Sequence, residues 1–258
     1  MKYKKELDIA INLALEAGEE ILKIYNSDFE FEVKEDSTPL TIADKNANEI
    51  IVNGLNKNFP SYSVLSEESK DDGKRKSNKY CWIVDPLDGT KEFIKRNDEF
   101  TVNIALVKNG EPLLGVIYTP ALKELYYAHK SSGAFYKDSY GTGKINVSDK
   151  SDDFKLLISR SHQTSKEKML IKENEHRISY VEAIGSSLKG CRIAKGDAEI
   201  YYRFGPTYEW DIAAQQIIVE EAGGIFLRLD NKRFKYNREN PLNEIGFYVL
   251  NDISSKLL

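Results

Sequence analysis

Three short apolar runs near the middle of the chain most constrain its fold. They cover residues 100–107, 113–118 and 125–128, and an Asn-Gly pair at 109–110 and Pro120 separate them. Breaks of this kind are typical of tight turns between strands. Strands joined by such short connections pair with their sequence neighbours in antiparallel fashion. The sequence therefore predicts an antiparallel meander in this region.

Two stretches ahead of the meander have the apolar spacing of amphipathic helices. In residues 5–25 and 41–58, apolar side chains recur every three or four positions. Between these stretches, Phe29, Phe31 and Val33 alternate with acids, as expected of a short strand. We therefore expect a helix, a short strand and a second helix before the sheet.

The second half of the chain alternates strand-like and helical segments. The strand-like segments cover residues 156–158, 178–183 and 198–203, and the helical segments cover residues 164–173, 187–194 and 209–222. Such alternation is typical of an α/β unit. The polar stretch at 137–153 predicts a boundary between an N-terminal subdomain, residues 1–145, and a C-terminal subdomain, residues 146–258. Residues 70–79 are also almost wholly polar, and we expect an exposed loop there.

Charge and cysteine content disfavour several classes of protein. A net charge of −4 argues against binding to a nucleic-acid polymer, which requires concentrated positive charge. No stretch is apolar enough to predict a signal peptide or a membrane span. Cys81 and Cys191 lie far apart in apolar stretches, so we expect small buried side chains in a reducing compartment. The expected location is the cytoplasm, with a peripheral position at the inner membrane as a second possibility.

Four carboxylates are candidates for a shared site. Glu67 and Asp85 each directly follow a short apolar run, and Asp88 and Asp211 could converge with them. A cluster of carboxylates in a cleft stays ionised only where cations offset the mutual repulsion. Because the chain has three histidines and no cysteine pair, the ligands would all be oxygen atoms, which favours Mg²⁺ or Mn²⁺ over Zn²⁺. We choose Mg²⁺ because it is the more available ion.

The segment Asp85-Pro86-Leu87-Asp88-Gly89-Thr90 suits a phosphate beside metal ions. Pro86 would rigidify a turn after the strand, two carboxylates lie three positions apart, and Gly89 lets the backbone approach an anion. If a helical turn begins at Gly89, the amides of Gly89 and Thr90 face the phosphate oxygens. On spacing alone, an Asp-Pro turn capped by Asp88 explains the segment equally well.

The same segment resembles the metal-binding signature of the inositol monophosphatase superfamily. Trp210-Asp211 with Ala222-Gly223-Gly224 resembles its second signature, and Ser66-Glu67-Glu68-Ser69 matches a third motif upstream. Five further segments most resemble the bacterial 3′(2′),5′-bisphosphate nucleotidases: residues 91–96, 99–106, 159–162, 184–189 and 203–207. The resemblance extends over nearly the whole chain and implies a layered α-β-α-β-α sandwich of the inositol monophosphatase and fructose bisphosphatase type.

The resemblance also implies roles for individual residues. Two or three Mg²⁺ ions would be held by Glu67, Asp85, Asp88, Asp211 and the carbonyl of Leu87. Thr90 and Asp44 would activate the attacking water, although Asp44 is equally well explained as a first-turn acid of the second helix when the resemblance is set aside. Glu68 would hold a metal-bound water or a third ion, or it is simply solvated.

The implied substrate contacts extend beyond the metal site. They are Glu67, Asp88, Gly89, Thr90, His162, Ser186, Lys189, Arg203 and Asp211. A nucleotide with a second phosphate needs cationic or donor groups of this kind. Ordinary structural interpretations also exist: Lys189 as a solvated helix residue, Arg203 in a surface pair, His162 in a loop and Ser186 as a helix cap. Tyr208, like most of the 15 tyrosines, is expected in the core or at a rim.

The implied reaction is hydrolysis of the 3′-phosphate of adenosine 3′,5′-bisphosphate to AMP and phosphate, a step in sulfur assimilation and nucleotide recycling. The resemblance further implies inhibition by Li⁺, and we expect a monomer or a homodimer. One alternative is another phosphatase of the superfamily, acting on inositol monophosphate or fructose 1,6-bisphosphate, and an acid such as Glu209 would favour the inositol phosphate. The other is a non-catalytic, metal-dependent nucleotide-binding protein.

Overall fold

Two helices and a small hairpin form the N-terminal part of the protein. The computed structural model describes residues 2–28, 30–33, 39–71 and 73–257. Helix α1 spans Lys4–Tyr25 and α2 spans Ile42–Asn58, which confirms the two predicted helices. Between them, β1 (Phe31–Val33) and β2 (Pro39–Thr41) pair as antiparallel strands. Phe29, which belongs to the expected strand, lies outside the described residues.

A seven-stranded sheet forms the first β layer. Its strands are β3 (Ser63–Ser66), β4 (Tyr80–Asp88), β5 (Thr101–Lys108), β6 (Glu111–Thr119), β7 (Glu124–His129), β8 (Gly133–Lys137) and β9 (Thr142–Ile145), paired in this order. The antiparallel pairing of β5, β6 and β7 confirms the predicted meander. The polar stretch in which the boundary is predicted contains β9, since an edge strand is held by backbone hydrogen bonds and tolerates polar side chains.

The second half folds as the alternating unit that the sequence predicts. Its helices are α4 (Ser165–Glu173), α5 (Leu188–Ala194) and α6 (Glu209–Glu221), and its main strands are β10 (Phe154–Ser159), β11 (Ile178–Ile184), β12 (Ile200–Arg203), β14 (Ile225–Arg228) and β16 (Phe247–Leu250). These five strands pair in the order β11-β10-β12-β16-β14. A separate pair joins β13 (Thr207–Tyr208) to β15 (Leu242–Asn243). A short helix, α3 (Thr90–Ile94), follows β4.

Five layers stack on one another. Helices α1 and α2 cover one face of the seven-stranded sheet, with Ile21, Ile51 and Leu55 fully buried against it. Burying a side chain of this size contributes about 1.5–3 kcal/mol. Helices α5 and α6 fill the space between the two sheets, and Leu170 of α4 packs on the outer face of the five-stranded sheet. The order is therefore α-β-α-β-α, as predicted.

The two sheets share an apolar core, which extends through α5 and α6. Because this core crosses residue 145, the division into two subdomains at that position stays a prediction. Within the described ranges, none of the helices is long and apolar enough to cross a membrane.

Two expectations about single side chains have different outcomes. The cysteines are both buried and free, as predicted. The expectation of a wholly exposed loop at 70–79 is wrong at Arg75, which is 2% exposed. Its guanidinium lies 2.9 Å from the Asp71 carboxylate and donates a hydrogen bond to Asn237 at 2.8 Å. A buried cation is tolerated here because it is paired and hydrogen-bonded.

Candidate active site

A cavity of ≈ 400 Å³ lies where the ends of β3 and β4 meet α3, α5 and α6. This volume is in the range of small-molecule sites. All the residues predicted for the site line the cavity except Asp44, which contacts it through Thr90.

The end of β4 places Asp85 and Asp88 in this cavity. The expected turn at Asp85 is wrong, because the strand continues to Asp88. Asp85 pairs with Asn103 of β5 and Asp88 pairs with Thr101, so β4 contains one extra residue between the two pairs. Pro86 has no amide hydrogen for the ladder, which favours such a bulge. Residues three apart on a regular strand face opposite sides, and the bulge lets both carboxylates face one side.

Asp211 joins these carboxylates from the first turn of α6. Asp85, Asp88 and Asp211 each place a carboxylate oxygen within 4.8 Å of the others. The pKa of Asp85 is raised well above its usual value. The largest cause is burial, followed by the negative charges of Glu67 and then Asp88. Burial, followed by the charge of Asp88, likewise raises the pKa of Asp211. A cation would offset both effects, and a donor set made only of oxygen fits a hard divalent ion.

Glu67 reaches the same cavity from the end of β3. Because β3 and β4 are parallel and Ser66 pairs with Val84, Glu67 follows at the level of Asp85. The Glu67 amide donates to the Val84 carbonyl at 3.2 Å, which continues the ladder by one step. Glu67 is not part of the 4.8 Å cluster found among the described residues, but it is the largest source of charge acting on Asp85.

Asp44 connects the start of α2 to Thr90. One carboxylate oxygen of Asp44 accepts hydrogen bonds from the Thr41 amide at 2.7 Å and the Thr41 hydroxyl at 2.6 Å, which forms a capping box. The other oxygen accepts from the Thr90 hydroxyl at 3.2 Å. Both interpretations of Asp44 therefore hold geometrically, since one oxygen caps the helix and the other faces the site. Gly89, at φ 93°, makes the turn that starts α3 at Thr90.

A network of hydrogen bonds that was not predicted from the sequence positions the Asp88 carboxylate. The amide and the hydroxyl of Ser187 both lie 2.6 Å from the same Asp88 oxygen, Oδ2. The Ser187 hydroxyl also lies 2.9 Å from the backbone carbonyl of Asp211 and from Asn103 Nδ2. Thr101 and Asn103 reach Oδ2 at longer range, 3.5 and 3.4 Å. The alternation of Thr101 and Asn103 on one face of β5 is the only local signal that could have indicated this network.

Lys189 is buried, which contradicts its interpretation as a solvated helix residue. Its ammonium donates to the carbonyl oxygens of Ile184 at 3.2 Å and Ser186 at 2.6 Å and lies over the ring of Tyr201. Burial lowers the pKa of Lys189 to about 8. The side chain therefore braces the turn that carries Ser186, and any contact with substrate stays a prediction.

The turn between β11 and α5 is also held from the other side. The Gly185 amide donates to the Glu99 carboxylate at 2.7 Å, and Glu99 forms a two-pronged ion pair with Arg160 at 2.6 Å. A Cβ at Gly185 would lie 2.6 Å from Glu92 Cγ, so only glycine fits. Ser186 follows with a positive φ of 47°. The turn is thus strained and well supported.

Arg203 and His162 lie next to each other on the wall of the cavity. The Arg203 guanidinium donates to the carbonyl oxygens of His162 and Pro206, both at 3.2 Å. Its Nε is buried and has no partner among the described residues. Partial desolvation, and then the charges of Lys91 and Arg203, lower the pKa of His162 to about 4. His162 is therefore neutral at physiological pH, and Arg203 carries the positive charge.

Glu209 is not one of the described residues that line the cavity. It is fully buried and accepts hydrogen bonds from the amides of Asn237 and Arg238 and from the Arg238 guanidinium, at 2.6, 3.1 and 2.9 Å. Tyr208 and Trp210, on either side of it in sequence, line the cavity with stacked rings. Glu209, the acid that would favour an inositol phosphate as substrate, is thus a structural residue.

Comparison with known proteins agrees with this geometry. The model of the inositol monophosphatase family matches residues 2–246. A protein of Salmonella typhimurium named 3′(2′),5′-bisphosphate nucleotidase CysQ is 43% identical, over 94% of this chain and 98% of its own. The crystal structure of CysQ from Bacteroides thetaiotaomicron is 41% identical, with a TM-score of 0.86 over 96% of this chain and 98% of its own. An IMPase of Thermotoga maritima is 28% identical, with a TM-score of 0.82 over 96% and 92%. The chain belongs to the inositol monophosphatase family.

Proposed function

We propose that this protein is a Mg²⁺-dependent phosphatase that hydrolyses adenosine 3′,5′-bisphosphate to AMP and phosphate. The observation that carries the proposal is the meeting, in one cavity, of the Asp85, Asp88 and Asp211 carboxylates with the Thr90 hydroxyl and the charge of Arg203. Relatives named as bisphosphate nucleotidases at 42–43% identity support this choice within the family.

The carboxylates are the residues that would hold the ions. The set is Glu67, Asp85, Asp88 and Asp211 with the carbonyl of Leu87, and it would hold two or three Mg²⁺. When bound, Mg²⁺ acidifies water and neutralises charge on a phosphate. Glu67, which is outside the tight cluster, would serve an ion on the side of Asp85.

Thr90 and Asp44 would handle the proton of the attacking water. The Thr90 hydroxyl donates to Asp44, so its lone pairs remain available to accept a hydrogen bond from water. As water attacks phosphorus, one proton passes to Thr90 Oγ1 and the threonine proton passes to Asp44. The bond from phosphorus to the 3′ oxygen breaks in line, the ribose oxygen takes a proton from a solvent water and leaves as a hydroxyl, and Asp44 returns its proton to the solvent. No phosphoenzyme forms in this scheme.

The remaining predicted contacts would select the nucleotide. Arg203 offers its charge and a donor to a second phosphate. The amides of Gly89 and Thr90 lie at the start of α3, where they would face the reacting phosphate. His162 would serve as a neutral hydrogen-bonding group, since its pKa is about 4. Ser186, and Lys189 behind it, would shape the turn that meets the ribose.

The test is phosphate release from adenosine 3′,5′-bisphosphate, inositol 1-phosphate and fructose 1,6-bisphosphate, each with Mg²⁺, with EDTA and with the Asp88→Asn variant. We expect a preference of tenfold or more for the nucleotide, equal to about 1.4 kcal/mol of transition-state discrimination. EDTA and the Asp88→Asn substitution should each abolish phosphate release from the nucleotide. Preference for a sugar phosphate would refute the nucleotide assignment, and turnover of none of the three would favour a non-catalytic binding protein.

Three further expectations accompany the proposal. Li⁺ should inhibit by competing at a carboxylate site, and the protein is a monomer or a homodimer. The reaction belongs to sulfur assimilation and to recycling of the nucleotide. Within the described residues, no feature supports the expected peripheral position at the inner membrane.

A further inference from the structure

We propose that Tyr208 is a specificity-determining residue whose ring stacks on the purine base of the substrate. Trp210 would hold the tyrosine ring in place from the opposite face. This inference rests on the proposed nucleotidase function, because only a nucleotide brings a base to the site.

The two rings form a preorganised aromatic wall. Their centroids lie 4.6 Å apart and their planes differ by 4°, so they are stacked face to face. Both residues line the cavity, and Tyr208 is 37% exposed. Since Trp210 covers one face of the tyrosine ring, a base would stack on the opposite face. A ring already fixed by its neighbour loses little conformational freedom when a ligand binds.

The backbone around Tyr208 is anchored to the reacting centre. The Tyr208 amide donates to the Asp211 carboxylate at 2.7 Å. On the other side, Tyr208 pairs with Leu242 in the short ladder of β13 and β15. The ring therefore projects from a segment that is fixed at both ends, one residue before the helix that carries Asp211.

Residues 203–211 present three different kinds of side chain to the cavity. Arg203 offers a cation, Tyr208 a flat aromatic face and Asp211 a carboxylate, all on the wall of one cavity. A nucleoside bisphosphate has one group for each of them: a second phosphate for Arg203, a base for Tyr208, and the phosphate that is removed, which cations held by Asp211 would bind. A hydroxylated inositol or hexose ring has no π-face to stack, so an aromatic wall would discriminate against it.

The decisive experiment compares a nucleotide with the same molecule lacking its base. The substrates are adenosine 3′,5′-bisphosphate and methyl ribofuranoside 3,5-bisphosphate, and the quantity is the ratio of their kcat/KM values. Tyr208→Ala should lower this ratio roughly 5- to 150-fold, the range expected for one base–aromatic stack. Tyr208→Phe should keep it, and Tyr208→Leu, which fills the space without a π-face, should lower it.

Tyr180→Ala is the matched control, because Tyr180 is 59% exposed on β11 and is not one of the described residues that line the cavity. This variant should keep the wild-type ratio. An unchanged ratio in Tyr208→Ala would overturn the inference, and so would an equal loss in Tyr208→Phe. The proposed function is judged separately in the same assay, since it fails if the wild-type protein does not hydrolyse the nucleotide.

Discussion

Changing Ser187 to alanine is expected to weaken metal binding roughly tenfold without unfolding the protein. The change removes the hydroxyl that lies 2.6 Å from Asp88 Oδ2 and 2.9 Å from the Asp211 carbonyl. A hydrogen bond to a charged group is worth about 1.5–3 kcal/mol. Because the Ser187 amide still donates to the same oxygen at 2.6 Å, the lower value applies. About 1.4 kcal/mol corresponds to a factor of ten in affinity.

The assay measures binding directly. Mn²⁺ serves as the probe, and its free concentration is followed by electron paramagnetic resonance in titrations of wild-type protein, Ser187→Ala and Ser179→Ala. Ser179 loses a hydroxyl that bonds only to backbone carbonyls, at 2.7 and 3.3 Å, and it lies on β11 at the surface. The Mg²⁺ concentration for half-maximal phosphate release gives a second measure.

The reasoning fails if Ser187→Ala binds Mn²⁺ as tightly as the wild-type protein does. A lowered melting temperature in EDTA together with unchanged Mn²⁺ affinity would show that the hydroxyl supports the fold and not the position of Asp88. A tenfold weaker affinity in Ser179→Ala would show that any serine of this region has the effect.

Four other substitutions test separate parts of the protein. Thr90→Ala and Asp44→Asn should each lower kcat by roughly 10²–10⁴ with little change in KM, because they remove proton transfer and not binding; steady-state kinetics that show only a raised KM would contradict this. Glu209→Gln should lower the free energy of unfolding by about 1–3 kcal/mol, since Arg238 loses its carboxylate partner, and urea titration measures this while the substrate preference stays unchanged. Burial lowers the pKa of Lys189 to about 8 from 10.5. The unfolded chain therefore binds more protons between pH 8 and 10.5, and the free energy of unfolding should rise across this window, relative to Lys189→Met, by at most about 3 kcal/mol.

Local patterns in the sequence predict most of the elements. Helix periodicity predicts α1 and α2, and the apolar runs predict β5 to β7, because these elements form through contacts between near neighbours. The strand β9 escaped prediction since its pairing depends on the backbone of β8 and not on its own polar side chains. The bulge at Asp85 and Asp88 escaped for a similar reason, because the extra residue is visible only in the pairing with β5.

The site is formed by packing between segments that are distant in the sequence, so local sequence patterns predict little of its geometry. Glu67 and Asp85 could be placed together because acids directly after two apolar runs suggest a common sheet edge. Asp211 was only one of four acids that could converge, and the resemblance fixed its role, since its position requires α6 to insert between the two sheets. No sequence pattern indicated that Ser187 contacts Asp88, because a serine before a helix is normally interpreted as a helix cap.

The three crowded carboxylates have a consequence for the motions of the protein. They come from β4 and from the first turn of α6, which belong to different layers, and in the absence of a cation they repel one another across that boundary. Such a point of local frustration is where a native structure opens most readily. The metal-free protein should therefore exchange the amides at the start of α6 faster than those of the meander. Because a bound cation stabilises the closed state by mass action, the cation concentration would determine how often the layer of α5 and α6 opens locally and how fast proteases cleave the protein.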